Sequence, residues 1–402
     1  MKIELKGHLN TSMIAEVQND IDVQLANVDA AEKIVIDCAK LDYISSSGLR
    51  VLLAIKKKHQ NLEIVNVIPE VYNVFEMTGF VRIFDIKKAL RKVSLDNCKL
   101  IGEGGNGAVY RINDEEIVKI SKYPQGDEAL IHESEKVKEA FLLGVPTVIS
   151  FDAVDCGNGH KGIVMEALDS DSLGMYLSAD PSRMLDVVPK YVELFRQTNA
   201  VKTDSDLFRN IKEWLRSHLY LPQRVINDEE AAVLSSILYE IPDDNHFVHF
   251  DGHVGNVLMY GPQEDRNLML IDMGDTGTGH PVLEIAGWAF VMLEPDYAKG
   301  CTVAERLTCM SADLMHEFSR RVLSEMFHVT DEAELDNLVY NASLMGRVKA
   351  VFIGQRWAKA LNDEKFYNYV IRLTQETISL APQVKAAIRY FVSKFEAMRY
   401  TE

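Results

Sequence analysis

The sequence lacks any apolar run long enough to cross a lipid bilayer. Its opening residues, MKIELKGHLN, also lack the apolar stretch of a signal peptide, so we expect a cytoplasmic protein. The five cysteines are scattered without the spacing of a metal or redox site, which fits a reducing compartment. Internal repeats and low-complexity tracts are absent as well. These absences argue against a membrane-spanning protein and against a disulfide-rich secreted one.

Basic residues are fewer than acidic residues in this sequence. The 43 lysines and arginines face 60 aspartates and glutamates, which gives a formal net charge of −17 at pH 7. Nucleic-acid phosphates would be repelled over most of such a surface, so we expect no nucleic-acid partner. The same charge is compatible with a small cationic substrate.

A chain of 402 residues is too long for one ordinary hydrophobic core, so we expect more than one domain. The pattern of strand and helix signals indicates where these domains divide. Residues 1–90 alternate strand and helix signals and predict a small α/β sandwich domain. The basic segment KKALRKVSLDN then predicts a closing helix or a linker, which we place at 91–97. Residues 98–168 are dense in strand signals. Residues 169–402 are mostly helical apart from one short apolar and acidic block.

Within the first domain, the period-two pattern of KIELKG predicts a strand, and Asn10 or Thr11 can cap the helix that follows. EKIVIDC and LEIVNV are further predicted strands, with the helix SGLRVLLAIKKKHQ between them. PEVYNVFEMTGF predicts a short helix with Pro69 in its first turn, and VRIFDI a last strand. The apolar face of the first helix consists of Ile14, Val17, Ile21 and Leu25.

The stretch LDYISSSGLR places three serines where a strand gives way to a helix. In one interpretation Ser46 or Ser47 caps the helix through its hydroxyl. In the other, one serine receives a phosphate, because a dianion at a helix N-terminus meets unpaired backbone N–H groups and the positive end of the helix dipole. The local pattern leaves both interpretations open.

The segment IGEGGNGAVY fills a G-x-G-x-x-G-x-V pattern with Gly102, Gly104, Gly107 and Val109. Glycines at these positions let the backbone approach a triphosphate closely and turn tightly. A glycine-rich hairpin without a ligand has the same pattern. The dinucleotide-binding fingerprint needs a strand–turn–helix context, and it is excluded because AVYRIN continues as a strand.

Lys119 lies inside the apolar strand EEIVKIS, which indicates an ammonium facing inward or into a cleft. A buried ammonium needs a partner, because burying a charge unpaired is costly. The helix EALIHESEKVKEAFLLG offers Glu133 and Glu135. A Lys–Glu pair that holds the lysine against the α- and β-phosphates is the functional interpretation. Ordinary solvent-facing helix glutamates are the alternative.

HFVHFDGHVGNVLMY contains His249, Asp251 and Asn256, and LMLIDMGDTG places Asp272 after an apolar strand. Phosphoryl transfer requires an aspartate for the hydroxyl proton, and an asparagine and a second aspartate for Mg²⁺. A core histidine and a turn aspartate are the plainer interpretations of His249 and Asp272. Together with the glycine-rich segment and Lys119, however, four elements occur in the order of such a site.

With these motifs, the chain from about residue 98 to residue 300 resembles the kinase-like phosphotransferases, and within them the aminoglycoside phosphotransferase and choline kinase group. His253 stands where a protein kinase usually has lysine, and GDTGTGHPVLEIAGW follows in place of an Ala-Pro-Glu element. The family usually has aspartates where His280 and Glu284 stand. The resemblance implies a bilobal protein-kinase-like fold with a helical C-terminal lobe, ATP or GTP with Mg²⁺, and a small hydroxyl compound held by the C-terminal helices.

The same resemblance implies a role for each matching residue. Asp251 is the base or orienter of the acceptor hydroxyl, and Asn256 and Asp272 hold Mg²⁺. Lys119 and Glu133 hold the phosphates. The hinge against the nucleobase is the segment VMEAL, which contains Glu166, Ala167 and Leu168.

The first domain resembles a STAS domain, the fold of bacterial anti-sigma-factor antagonists. The matching stretches are IVIDCAKLDYISSSGLRVLLAI and VNVIPEVYNVFEMTGFVRIFDI. In that family a serine in an Asp-Ser-Ser-Gly turn receives a phosphate from a partner kinase. By alignment this serine is Ser46, with Ser45 in place of the aspartate. The resemblance implies a regulatory or partner-binding module.

Three functions are compatible with this organisation. The leading one is Mg²⁺-dependent transfer of the ATP γ-phosphate to a hydroxyl of a small molecule, with the STAS domain as a regulatory module. The second is a protein kinase in a partner-switching system that phosphorylates a STAS serine, Ser46 of its own chain included. The third is a nucleotide-binding pseudokinase scaffold. The complete set Lys119, Asp251, Asn256 and Asp272 argues against the third.

Overall fold

The computed structural model describes residues 1–29, 31–103, 107–122, 127–262, 266–293, 302–360 and 362–399. The chain divides into two compact units, Met1–Ser94 and Leu95–Glu402. Gly104 of the predicted nucleotide loop lies outside the described residues. Among the described residues, no helix is both long enough and apolar enough to span a membrane.

The first unit is built on a parallel sheet whose strands lie in chain order. A helix follows each of the first three strands, as in a run of βαβ units. The alternating apolar residues of the strands face these helices, with Ile3, Ile36 and Ile64 at 0–1% exposure. The strands are β1 (Lys2–Leu9), β2 (Ile34–Ile44), β3 (Leu62–Val67) and β4 (Asp85–Lys88), and the helices are α1 (Ile14–Leu25), α2 (Ser46–Lys58) and α3 (Pro69–Met77).

Two local predictions for this unit were wrong. Neither Asn10 nor Thr11 caps α1: the N-cap is Met13, which makes no side-chain capping bond. Asn10 Oδ1 instead accepts the backbone N–H groups of Ser12 and Met13 and closes the turn before the helix. VRIFDI begins as a 3₁₀ turn at Phe80–Arg82, and the strand starts only at Asp85.

The segment after β4 forms no helix. Ala89 N donates to Val67 O at 2.7 Å, which keeps the chain extended past the end of β4. A two-residue strand, β5 (Arg91–Lys92), follows. Backbone pairing with β3 therefore outweighs the helix propensity of this basic stretch.

The second unit begins with an antiparallel sheet in which its own strands lie in the order β9-β10-β8-β7-β6. One long helix, α4 (Asp127–Leu142), packs against β8, β9 and β10. This is the first lobe. Its strands are β6 (Lys99–Glu103), β7 (Gly107–Arg111), β8 (Glu116–Ser121), β9 (Ser150–Asp155) and β10 (Lys161–Glu166).

The second lobe is mostly helical, as predicted, and holds two small sheets. One joins β11 (Ser170–Ser172), β13 (Val257–Tyr260) and β14 (Asn267–Leu270), and the other pairs β12 (His246–Val248) with β15 (Gly277–Gly279). The helices are α5 (Leu173–Ala179), α6 (Met184–Ala200), α7 (Ile211–His218), α8 (Asp228–Leu238), α9 (Val282–Met292), α10 (Thr302–Thr308), α11 (Ala312–Phe327), α12 (Glu332–Trp357), α13 (Glu364–Ser379) and α14 (Ala381–Arg399).

Helix α9 lies at the centre of this lobe and is buried almost all round, as its apolar sequence VLEIAGWAFVM requires. Two glycines let other backbone segments approach it. A Cβ on Gly287 would lie 2.4 Å from Phe250 O, and a Cβ on Gly346 of α12 would lie 2.8 Å from the Ala289 carbonyl carbon. Helices α9 and α12 are therefore packed tightly beneath the loop that carries Asp251.

Candidate functional site

The loop that carries Asp251 follows β12 and is held from beneath by one buried carboxylate. Glu284 Oε1 accepts the N–H of His249 at 2.6 Å, and Oε2 accepts the N–H of Phe250 at 3.1 Å. Asn199 Nδ2 adds a third bond at 3.1 Å. Burial raises the pKa of Glu284 to about 7, and these three donors favour its charged form. Phe250 itself is left-handed, with φ of 64°, a strained backbone conformation for a bulky residue.

The Asp251 carboxylate is engaged on both oxygens. Lys349 Nζ lies 2.6 Å from Oδ1, and Asn256 Nδ2 donates to Oδ2 at 2.9 Å. His253 Nε2 lies 3.7 Å from Oδ2. Burial by itself would raise the pKa of Asp251, but the adjacent Lys349 ammonium outweighs it and holds that pKa below its ordinary value. Asp251 is therefore a carboxylate at neutral pH.

The two histidines of this loop have structural hydrogen bonds. Fully buried, His249 contacts Ile271 O through Nε2 at 3.0 Å and accepts the N–H of Asp251 through Nδ1 at 3.3 Å. His253 Nδ1 accepts the N–H of Gly255 at 3.1 Å, which leaves the proton on the Nε2 that faces Asp251. Burial lowers the pKa of both rings, so both are neutral near pH 7. A core role for His249, the plainer interpretation, agrees with these contacts.

The backbone segments that carry Asn256 and Asp272 are adjacent in space, because Ile271 N donates to Asn256 O at 2.9 Å. Asn256 Nδ2 donates to both the backbone and the side chain of Asp251, so the amide oxygen points away from that carboxylate. Asp272 is left-handed, with φ of 65°, and its side chain is 49% exposed. An amide oxygen and an open carboxylate suit Mg²⁺, which prefers a few protein oxygens completed by water and phosphate. Among the described residues, no group of three or more His, Cys, Asp or Glu side chains could hold a metal without such help.

Lys119 on β8 lies between two carboxylates. Its Nζ is 2.7 Å from Glu133 Oε1 on α4 and 3.7 Å from Asp272 Oδ2. Burial opposes the charge of Lys119, but Asp272 and Glu133 outweigh burial and raise its pKa. The other candidate, Glu135, is exposed and lies 3.6 Å from His132 instead. The structure thus brings Lys119, Glu133 and Asp272 together across the two lobes.

The glycines that flank the predicted nucleotide loop differ in what surrounds them. A Cβ on Gly107 would lie 2.7 Å from Ile120 O, so the pairing of β7 with β8 requires glycine there. Of the residues that the structure describes, a Cβ on Gly102 would meet only Val109 Cβ, at 3.9 Å, so packing against these residues does not require glycine at that position. Val109 pairs with Lys119 in the sheet, which places it beside the lysine.

The segment 166–168 follows the end of β10. Glu166 Oε1 accepts the N–H of Ile149 at 2.7 Å, and Ala167 N donates to Glu115 O at 2.8 Å. The N–H of Leu168 has no hydrogen-bond partner in the part of the chain that the structure describes. A backbone donor of this kind is what a nucleobase edge requires.

Sequence reasoning missed Lys349, which contacts Asp251 from the middle of α12. It is 3% exposed and also donates to Phe250 O at 2.7 Å and lies 3.5 Å from Asp275 Oδ2. The available signal was a lysine inside the apolar stretch RVKAVFIG. Lys136 of α4 was missed as well: it donates to Gly274 O at 3.2 Å and to Thr276 O at 3.0 Å.

In the first unit, neither Ser46 nor Ser47 caps α2, and that prediction was wrong. The N-cap is Ser45, whose Oγ accepts the N–H of Gly48 at 3.3 Å and donates to Leu9 O at 2.9 Å. Ser45 is extended, with φ of −90° and ψ of 171°, as capping requires. Ser46 is the first helical residue and is exposed. Ser47 Oγ lies 3.3 Å from Thr11 Oγ1.

These features define a two-domain protein, with a small parallel α/β sandwich followed by a bilobal kinase-like unit. The STAS domain family matches residues 1–93. A protein of Bordetella bronchiseptica that bears the name anti-sigma factor antagonist BtrV is 34% identical over 87 residues, which are 20% of this chain and 72% of that protein. Through its first domain, the chain belongs to the STAS family. The resemblance predicted for residues 1–90 is confirmed.

Solved structures similar to this chain include kinases. A choline/ethanolamine kinase family protein from Mesorhizobium loti is 15% identical with a TM-score of 0.43, over 73% of this chain and 92% of that one. The streptomycin–ATP complex of APH(2″)-IIa is 16% identical with a TM-score of 0.45, over 71% and 93%. Similarity at this level says nothing about the substrate, which has to be argued from the side chains of this chain.

Proposed function

We propose that this chain is a Mg²⁺-dependent phosphotransferase that moves the γ-phosphate of ATP or GTP to a hydroxyl group of a small molecule. The observation that carries the proposal is the convergence on one place of Lys119, Asp272, Asn256 and Asp251. Lys119 lies 3.7 Å from Asp272, and Asn256 bonds to both Ile271 and Asp251. Phosphoryl transfer depends on positioning and charge neutralisation, which such a cluster supplies.

Each group has a distinct task in this proposal. Lys119, held by Glu133, binds the α- and β-phosphates, and the unobstructed backbone at Gly102 approaches them. Leu168 N–H receives the nucleobase. Asn256 Oδ1 and Asp272 would hold Mg²⁺, which supplies charge neutralisation on the transferring phosphoryl group.

Asp251 is an orienter more than a strong base. Because its pKa lies below the ordinary value, the carboxylate attracts a proton weakly at neutral pH. It can still accept a hydrogen bond from the acceptor hydroxyl and take the proton late, as a loose transition state allows. The side chain keeps 25% of its surface exposed for that contact.

The first domain supports a regulatory role in the same proposal. STAS membership favours a protein partner, and cysteines scattered without metal or redox spacing favour the cytoplasm. No contribution of this domain to the phosphotransfer chemistry is required.

The test is a paired measurement on the full chain. Asp251→Ala is expected to reduce nucleotide turnover about a hundred- to ten-thousand-fold while Mg²⁺–ATP still binds in a calorimeter. Asp272→Ala is expected to reduce both turnover and Mg²⁺-dependent binding. Unchanged turnover in both variants would refute the assignment, and wild-type protein that binds no Mg²⁺–nucleotide would favour a scaffold.

A second candidate function is phosphorylation of a STAS serine, and the exposure of Ser46 at the N-terminus of α2 favours it. A phosphate on Ser46 would meet the unpaired N–H groups of the first helical turn. Intact-mass measurement after incubation with Mg²⁺–ATP tests it. A gain of one phosphate that disappears in Ser46→Ala would support the function, and no gain, or the same gain in the variant, would exclude it.

A further inference from the structure

The strand that leads to Asp272 is fixed by the first lobe. Leu270, at the end of β14, donates its N–H to Pro146 O at 2.8 Å. Its carbonyl oxygen accepts the hydroxyl of Thr147 at 2.8 Å. Both contacts come from the segment just after α4 and involve no charged group. The backbone two residues before the proposed Mg²⁺ ligand is therefore tied to the first lobe.

The turn after Asp272 is tied to the same lobe by Lys136. This turn is a 3₁₀ helix, Met273–Asp275. Lys136 belongs to α4 and is 3% exposed. Its Nζ donates to Gly274 O at 3.2 Å and to Thr276 O at 3.0 Å. The first lobe thus holds the backbone on both sides of Asp272, and the second of these attachments depends on one ammonium group.

Lys136 carries a charge that is buried without an ion pair. Among the described residues its hydrogen-bond partners are the two carbonyl oxygens, and no carboxylate pairs with it. Burial, and after it Arg209, lowers the pKa of Lys136 to about 8, while Asp275 and Glu133 act in the opposite direction. Burying an ammonium against neutral acceptors alone is costly, which favours a role in the site over a role in packing.

The same helix carries the partner of the phosphate-binding lysine. Glu133 lies three residues before Lys136 on α4, and side chains at this spacing are neighbours on a helix surface. Glu133 Oε1 is 2.7 Å from Lys119 Nζ, which in turn lies 3.7 Å from Asp272 Oδ2. One turn of α4 therefore contacts both the lysine proposed for the triphosphate and the loop proposed for Mg²⁺.

The second lobe holds the turn at a different place. Arg209 Nη2 donates to Gly274 O at 3.1 Å and lies 3.5 Å from Asp275 Oδ1. Thr276 O, in contrast, accepts a hydrogen bond from Lys136 alone within the described part of the chain. Without the ammonium of Lys136, the turn would stay attached to the second lobe and lose its connection to α4.

We infer that Lys136 is a positioning residue that couples α4 to the turn after Asp272, so that Lys119 and Asp272 face the same Mg²⁺–triphosphate. This inference rests on the proposed function and assigns it a residue that no sequence motif indicated. In this role Lys136 contacts neither the nucleotide nor the metal and acts through the backbone of the loop. Its loss should therefore weaken the effect of Mg²⁺ on nucleotide binding more than nucleotide binding itself.

The experiment is a calorimetric titration of the full chain with a non-hydrolysable ATP analogue, in Mg²⁺ and in EDTA. Lys136→Met removes the two hydrogen bonds with little change in side-chain length. The gain in affinity from Mg²⁺ is expected to fall about tenfold or more in this variant, while the affinity in EDTA changes less than about twofold. Asp272→Ala should show the same pattern. Lys138→Met, on the same helix, is the control and should behave as wild type.

Turnover gives a second measurement. Lys136→Met is expected to raise the Mg²⁺ concentration for half-maximal rate about tenfold and to lower kcat, with little change in the nucleotide KM at saturating Mg²⁺. A purely structural lysine would lower the thermal unfolding temperature and leave the Mg²⁺ dependence unchanged. If Lys136→Met does not fold, Lys136→Gln, whose side chain is too short to reach both carbonyls, provides the same comparison.

The outcomes separate this inference from the proposed function. An equal gain in affinity from Mg²⁺ in wild type and in the Lys136 variant, or the same loss in Lys138→Met, would overturn the positioning role. The phosphotransferase proposal would survive either result, provided that Asp272→Ala loses Mg²⁺-dependent binding. Wild-type protein whose nucleotide affinity does not depend on Mg²⁺ would instead remove the proposed function itself.

Discussion

Lys349 Nζ lies 2.6 Å from Asp251 Oδ1, although the two residues are 98 positions apart in the chain. The lysine extends from α12, is 3% exposed, and also contacts Phe250 O and Asp275. His253 Nε2 lies farther from the same carboxylate, at 3.7 Å from Oδ2, so Lys349 is its nearest cation among the described residues. The pair neutralises a carboxylate that would otherwise be costly to bury.

Replacing Lys349 by methionine is expected to destabilise the protein by about 3 kcal/mol, because Asp251 would remain buried without its main counter-charge. The pKa of Asp251 should rise, so the acid limb of the kcat profile should move to higher pH. Urea unfolding and a pH–rate profile measure the two effects. In the double variant Lys349→Met, Asp251→Asn most of the lost stability should return, and Lys359→Met is the exposed control. Additive losses in the double variant would contradict a direct pair.

The two glycines of β6 and β7 should respond differently to alanine. Gly107→Ala is expected to cost about 1–3 kcal/mol of stability, because its Cβ would lie 2.7 Å from Ile120 O. Gly102→Ala should fold normally, because among the described residues only Val109 Cβ lies within 4 Å, at 3.9 Å. If Gly102 approaches phosphates, its variant should bind Mg²⁺–ATP several-fold more weakly. Thermal unfolding measures the loss of stability in Gly107→Ala, and calorimetric titration measures the nucleotide affinity of Gly102→Ala. Normal nucleotide affinity in Gly102→Ala would count against a phosphate loop.

Glu284 predicts a dependence of stability on pH. Burial raises its pKa to about 7, above the usual value of 4.5, so the folded state binds more protons than the unfolded state between these values. Its contribution to stability is therefore full below pH 4.5 and falls as the pH rises to 7, by on the order of 3 kcal/mol.

Glu284→Gln tests this dependence. The variant should lose stability overall, because one amide oxygen replaces two acceptors for the N–H groups of His249 and Phe250. Its unfolding free energy should, however, lack the decline between pH 5 and pH 7 that wild type and the exposed control Glu229→Gln show. An identical decline in all three proteins would assign it to other groups.

Ser45 and Ser46 form a matched pair for the first domain. Ser45→Ala removes the N-cap of α2 and its bond to Leu9 O, which should cost about 1 kcal/mol or slightly more. Ser46→Ala should stay within about 0.5 kcal/mol, because this side chain is exposed. Amide hydrogen exchange of peptides from α2 reports the local effect in the full chain. Greater loss of protection in Ser46→Ala than in Ser45→Ala would show that the cap is misassigned.

Much of the organisation could be predicted because it depends on local pattern. The alternation of strands and helices predicted a small α/β sandwich for the first domain. The five-residue spacing of Asp251 and Asn256 predicted a shared loop, and Asn256 Nδ2 lies 2.9 Å from Asp251 Oδ2. Lys119 could be singled out because an ammonium in an apolar strand needs a carboxylate, and Glu133 lies 2.7 Å away.

The identity of the charged groups and their local spacing follow directly from the amino-acid sequence. The tertiary structure alone decided which of them meet: Lys349 reaches Asp251 because Gly287 and Gly346 let α9 and α12 pack closely beneath the loop. It also decided that Ser45 rather than Ser46 caps α2, because only Ser45 has the extended backbone that turns its hydroxyl toward Gly48 N. Contacts between distant segments depend on how the whole chain packs, so a local sequence pattern does not predict them.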